Sequence, residues 1–176
     1  MKKARQQSID LVGFQERLNK SLESLQHFNE NSSLLGFTSG GRNWLMKLGD
    51  LHEIESVPIQ EKIQKLALAK NWVMGIANYK GNIFTLVDFQ LFLGQAATQT
   101  GLNARSLLLH PRHQVQSALI VGEVAGLLES AELKKIKDGG DRPWVSSQFQ
   151  SVDGKIWNMV DVASLAVDQE MMNIAN

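Results

Sequence analysis

A mainly β fold built as two similar lobes is predicted by two features of the sequence. Most of the chain is a succession of short apolar runs separated by Gly, Asn and Asp turns, with helical patterning mainly at the ends. The chain also repeats itself faintly in one register. Gly49-Asp50-Leu51 recurs in kind as Gly122-Glu123-Val124, 73 positions later, and Gly81, Ile83, Val87 and Asp88 recur at the same offset as Gly154, Ile156, Val160 and Asp161. Apolar positions stay in step as well, in Leu48/Val121, Ile54/Leu127 and Leu86/Met159. A register shared by separate stretches points to two lobes of one design and directs the search for function to the surface between them.

Each element has a local cause. Residues 2 to about 30 read as a helix, with Leu11, Phe14, Leu18, Leu22, Leu25 and Phe28 at steps of three and four. Packing of that stripe on the protein's own body is the favoured reading, with docking to a partner as the alternative. From Leu34 the period changes, and Leu34–Phe37 and Trp44–Leu48 read as strands around the Thr38-Ser39-Gly40-Gly41-Arg42-Asn43 turn. A phosphate cradle is the rival reading of those glycines, but Trp44-Leu45-Met46-Lys47-Leu48 is a poor helix start. Residues 57–70 fit a short helix or a long crossing loop. Trp72–Ala77 and Ile83–Val87 are strand-like around Gly81, and Asp88 stands before a short helix, Phe89–Leu93, closed by Gly94.

The second half follows the same plan. Ser106–Leu109 and Ala118–Leu128 are read as strands around His110-Pro111-Arg112-His113, and Trp144–Phe149 and Lys155–Val160 as the last strands. Residues 130–142, charged and containing Gly139-Gly140, are expected to form an exposed, mobile linker. Asp161 precedes a helix over Val162–Met172. Asp88 and Asp161 are both expected to cap helices, since a carboxylate there accepts from the first free N–H groups. A pair of catalytic carboxylates is the weaker alternative.

Composition narrows the function classes. Lys plus Arg and Asp plus Glu number 18 each, so the chain lacks the cationic excess of a protein that neutralises many phosphates. The absence of cysteine excludes disulfides, thiolate ligands and thiol nucleophiles. No run has the length or apolarity of a membrane span or a signal peptide, which leads to the expectation of a cytoplasmic protein without direct membrane insertion. His110 and His113 are spaced three apart, but Pro111 between them makes a turn a better reading than a metal site. No nucleophile elbow, phosphate loop or dinucleotide fingerprint is present. No catalytic residue, metal or cofactor is therefore expected.

The stretch Trp72-Val73-Met74-Gly75-Ile76-Ala77-Asn78-Tyr79-Lys80-Gly81, continued through Val87-Asp88 to Leu93-Gly94, resembles the signature of the CheW-like family. Leu51-His52-Glu53-Ile54 is similar to that family's earlier strand, Ala118–Leu128 to its second-lobe strand, and 152–165 to its last strand and C-terminal helix. The resemblance spans roughly residues 34 to 170. It implies two intertwined, SH3-like five-stranded β-barrels over 34–176, an N-terminal helical extension over 1–33, and a C-terminal helix.

It further implies a non-enzymatic adaptor joining the cytoplasmic tip of a methyl-accepting chemoreceptor to a CheA-type histidine kinase. The tryptophan before the glycine and the long N-terminal extension are most similar to the members that serve type IV pilus twitching motility. Leu51, Glu53, Gly75, Asn78, Lys80 and Gly81 become the expected protein-binding residues. Lys80 stands where the family usually has an arginine, which typically pairs with the glutamate represented by Glu53. Gly122 stands where an aspartate often follows the valine. A single-stranded nucleic-acid-binding barrel is the alternative, since Trp and Phe near Lys can stack bases. Against it stand the zero net charge and the single tyrosine. A hydrolase with dispersed catalytic residues is a third reading.

Overall fold

The computed structural model describes residues 33–175 and is mainly β, in two sheets. The strands are β1 (Ser33–Ser39), β2 (Arg42–Lys47), β3 (Leu51–Ser56), β4 (Val73–Tyr79), β5 (Asn82–Asp88), β6 (Arg105–Leu109), β7 (Ser117–Val121), β8 (Glu123–Glu129), β9 (Leu133–Asp138), β10 (Val145–Ser151) and β11 (Ile156–Val160). Three short helices complete it: α1 (Phe89–Phe92), α2 (Val162–Ala166) and α3 (Gln169–Met172). The helix expected over 2–30, and with it nearly all of the proposed extension, lies outside the described residues.

Sheet order explains the repeat. One sheet runs β3-β6-β7-β5-β4 and the other β8-β1-β2-β11-β10-β9. Shifting β3, β4 and β5 by the repeat offset lands on β8, β10 and β11, whereas β1 and β2 land on β6 and β7. The neighbour order is then the same in both sheets, down to the parallel pairs β5–β7 and β11–β2. Each half of the chain thus donates its opening hairpin to the sheet of the other half. The lobes are intertwined by exchange, and neither sheet belongs to one continuous stretch of sequence.

The exchanged strands are apolar on both faces because each faces two cores. On β2, Trp44 and Met46 enter a large cluster shared by the two lobes, with Phe37, Trp72, Phe89, Leu107, Leu119 and Trp144, while Leu45 joins Leu34, Trp157 and Met159 inside its own lobe. On β7, Leu119 and Val121 enter the shared cluster, and Ala118 and Ile120 join Phe84, Leu86 and Leu108. Side-chain alternation thus sends successive residues into different cores, giving a near-continuous apolar run rather than an alternating one. Aromatic rings bind the shared core together, with Trp44 edge-on to Phe89 at 5.2 Å and Trp72 edge-on to Phe92 at 5.2 Å.

Three sequence expectations are corrected, and a fourth segment, open in the sequence, is resolved. The second lobe has six strands rather than five, since residues expected to be a mobile linker contain β9, paired antiparallel to β10. Ala118–Leu128 is broken at Gly122 into β7 and β8, which lie in different sheets. An added Cβ at Gly122 would come within 3.1 Å of the Thr38 carbonyl oxygen, so the crossing point favours glycine. The terminal helix is two short helices, because Asp168 accepts from the N–H groups of Glu170 and Met171 and starts a new one. Residues 57–70, left open by the sequence, are a crossing segment that touches β4 through the Gln64–Ile76 bridge.

Candidate functional site

The β4–β5 hairpin turns on Lys80 and Gly81, with φ of 51° and 92°. Two central residues with positive φ suit the right-handed twist of a tight hairpin, and glycine adopts that conformation freely. Asn78 steadies the turn, its Oδ1 accepting from the Gly81 N–H at 2.8 Å. Tyr79 Oη donates to Ser106 Oγ at 2.7 Å, linking the end of β4 to β6. Partial burial of that phenol raises its pKa.

This turn carries Lys80 to the edge strand at the far side of the same sheet. Lys80 Nζ donates to Glu53 Oε1 and lies 2.9 Å from Glu55 Oε1, so one ammonium joins two carboxylates of β3. The Lys80 hydrogen bond lowers the Glu53 pKa, and hydrogen bonds to Glu53 and then Glu55 raise that of Lys80. The cluster keeps one excess negative charge at the surface. Lys80 is 66% exposed along its side chain, so the ion pairs contribute little stability.

The other lobe is an internal control. At the repeat offset, Glu53, Glu55 and Lys80 correspond to Gly126, Leu128 and Asp153. Leu128 packs against the apolar cluster of its own lobe. Asp153 turns inward on its own hairpin, accepting from Ser151 Oγ at 2.5 Å and pairing with Lys155 at 3.1 Å. Those two contacts hold its pKa at about 2. The shared fold therefore does not require the charged cluster of the first lobe.

The remaining expected site residues divide by role. Leu51 is buried in the shared core. Gly75 has φ of 138°, and an added Cβ would strike the backbone carbonyl of Gln64 and lie 2.9 Å from Ile63 Cγ2. Its glycine lets the crossing segment lie on β4. At Gly81 the space around a Cβ is open, leaving the turn conformation as the local reason for glycine. Of the six, Glu53 and Lys80 bring charged groups to the surface.

Asp88 and Asp161 cap α1 and α2 as expected, accepting from the N–H groups of Gln90 and Leu91, and of Ala163 and Ser164. Asp88 also accepts from Thr98 N and Thr98 Oγ1, at 2.9 and 2.7 Å.

Sequence reasoning passed over Asp50. Its buried carboxylate accepts from Arg112 Nη2 at 2.5 Å and lies 3.0 Å from His113 Nε2, while its carbonyl accepts from the His110 N–H. It ties the start of β3 to the turn between β6 and β7, where Pro111–His113 forms a 3-10 turn. No local pattern marks a contact spanning 62 positions.

These features describe a two-lobed β scaffold whose lobes share a fold and differ in the charge they present. Residues 33–170 match the CheW-like domain, and the chain belongs to that family. It is 30% identical over 119 residues to Protein PilI of Pseudomonas aeruginosa, a match covering 68% of this chain and 65% of that protein, slightly under two thirds of the relative's length. The fold is similar to that of the scaffolding protein TtCheW from Thermoanaerobacter tengcongensis, with a TM-score of 0.64 and 16% identity over 83% of this chain and 99% of that one. Among the described residues no helix is long and apolar enough to cross a membrane.

Proposed function

We propose that this chain is a non-enzymatic, cytoplasmic adaptor that couples a chemoreceptor's cytoplasmic tip to a CheA-type histidine kinase, in a pathway controlling type IV pilus twitching motility. Family membership and the PilI relative support the adaptor class and the pathway. The observation that carries the site is the Lys80–Glu53–Glu55 cluster, present in one lobe and replaced by Gly126, Leu128 and Asp153 in the other. A surface ion cluster that neither the fold nor stability requires is available for recognition. Its ammonium and two carboxylates offer a partner both a donor and acceptors. Signal transfer through such a surface is a change in packing between proteins, with no bond made or broken by this chain.

The test is complex formation between the full chain and a CheA-type kinase and a receptor tip from the same organism. Lys80→Glu places three carboxylates together and is expected to weaken at least one contact by about tenfold. Lys80→Arg restores a planar two-pronged donor and is expected to retain binding. Failure of the unmodified chain to bind either partner would remove the adaptor assignment.

A further inference from the structure

A polar cleft of about 510 Å3 opens on the face of the second lobe's sheet, away from the Lys80 turn. Its floor is a row of amides. Gln148 Nε2 on β10 donates to Asn158 Oδ1 on β11 at 2.8 Å, and Asn158 Nδ2 donates to the Asn43 carbonyl on β2 at 3.2 Å. Asn158 is buried, Gln148 and Asn43 are half-buried, and the rim residues Arg42 and Lys137 are exposed. Arg42 is held by Asp141 at 2.7 Å. Lys137, on β9 and paired across the ladder with Gln148, has no ion pair among the described residues.

The first lobe fills the corresponding ground with its own chain. At the repeat offset Gln148 answers to Gly75, on which the Gln64 backbone lies, and Lys137 answers to Gln64 itself. In the second lobe the equivalent segment pairs at the corresponding place, Lys137 with Gln148, and continues along β10 as the bulged edge strand β9. It ends the sheet order, so one side of its backbone has no neighbouring strand among the described elements. Residues 134–142 carry Lys134, Lys135, Lys137 and Arg142 against Asp138 and Asp141, a local cationic excess on a chain of zero formal charge. Lysines on an edge strand discourage promiscuous pairing. The same lysines favour one class of strand, the acidic one, and discrimination by charge commonly works in both directions.

We infer that β9 and the amide-floored cleft beside it form a docking site for an extended acidic segment of a partner protein. The segment adds to the sheet along the free side of β9, and one of its carboxylates reaches over β9 to Lys137 at the cleft rim. Backbone pairing supplies the affinity of strand addition, and the cleft selects the side chain. The site is independent of the Lys80 cluster, so the kinase and receptor experiment can fail while this one succeeds.

The experiment titrates the isotopically labelled full chain with an end-blocked hexaglutamate peptide and follows the side-chain amide signals of Asn43, Gln148 and Asn158 by NMR. Those signals are expected to shift with hexaglutamate and to stay in place with hexaglutamine. Lys137→Glu is expected to weaken binding by about tenfold, and Lys137→Gln by less, in the same direction. Lys155→Glu makes the same charge change at an ammonium paired with Asp153 and is expected to alter affinity less than about twofold. Three results would overturn the inference: unmoved amide signals, equal losses from Lys155→Glu and Lys137→Glu, or binding of free glutarate as tight as that of the peptide.

Discussion

Replacing Gly75 by alanine separates what the fold asks of this residue from what a partner asks. Two costs act together. The backbone sits at φ 138°, where an L side chain is strained by about 1–2 kcal/mol. The new methyl also strikes the Gln64 carbonyl and lies 2.9 Å from Ile63 Cγ2, and relief requires the crossing segment to move because the nearest atom is backbone. Overpacking of this kind costs about 1–3 kcal/mol, so the total is about 3 kcal/mol and a fall in Tm of roughly 6–12 °C for a domain of this size. Gly81→Ala is the matched control. Its φ of 92° carries the strain, but no atom lies within 4 Å of the added carbon, so about 1 kcal/mol and roughly 2–4 °C are expected. Thermal and urea melts of both variants decide the matter. Losses that agree within about 0.5 kcal/mol would refute the steric account and return Gly75 to the list of residues kept open for a partner.

Two further outcomes follow from the polar contacts. Asp88→Ala removes the acceptor for two helix N–H groups and for both donors of buried Thr98, and is expected to cost about 3 kcal/mol in urea melts, against about 1 kcal/mol for Asp161→Ala. Asp161 also accepts from Ser164 Oγ at 2.8 Å, so equal losses would show that the Thr98 contacts add no more than that one hydroxyl bond. The Lys80 cluster sets a pH window. The Glu53 pKa is depressed below its ordinary 4.5, so its contribution is present above that value and lost as pH falls through the lower folded pKa. The Lys80 pKa is raised above 10.5, so its contribution is complete below that value and lost as pH rises through the higher folded pKa. NMR titration of Glu53 is expected to give a midpoint below 4.5 that moves upward in Lys80→Met. An unmoved midpoint would show that Lys80 is not its cause.

Much of this architecture was legible because its causes are local. The Asp88 and Asp161 caps need only a carboxylate before a helix start, and the Gly40-Gly41 and Lys80-Gly81 turns need only residues that accept positive φ. The repeat register was legible too, because corresponding strands meet corresponding demands. What stayed hidden depends on distant partners. Gly122 looked like part of one long strand, since nothing in Ala118–Leu128 says that its two ends join different sheets. The Lys-rich stretch before Gly139 looked like a linker because β9 is mostly exposed and lacks a clear apolar face. At the candidate site, the pairing of Lys80 with Glu53 was anticipated through family resemblance, whereas the second carboxylate, Glu55, and the Asp50–Arg112–His113 contact come from three-dimensional proximity.

Exchange of hairpins between the halves gives the duplication a consequence for function. Because β1–β2 and β6–β7 each complete the other half's sheet, neither lobe can open without exposing part of the shared core around Trp44, Phe89 and Trp144. Surface patches mounted on such a body, the Lys80 cluster on one lobe and the β9 edge on the other, hold a fixed spacing. The interior holds the halves to a common plan, while surface positions related by the repeat are free to diverge. Divergence at an exposed position is what Lys80 against Asp153 shows. A pair of identical lobes would offer only two copies of one surface. The exchanged core allows the present chain to carry an anionic cluster on one lobe and a cationic strand edge on the other without a change of fold.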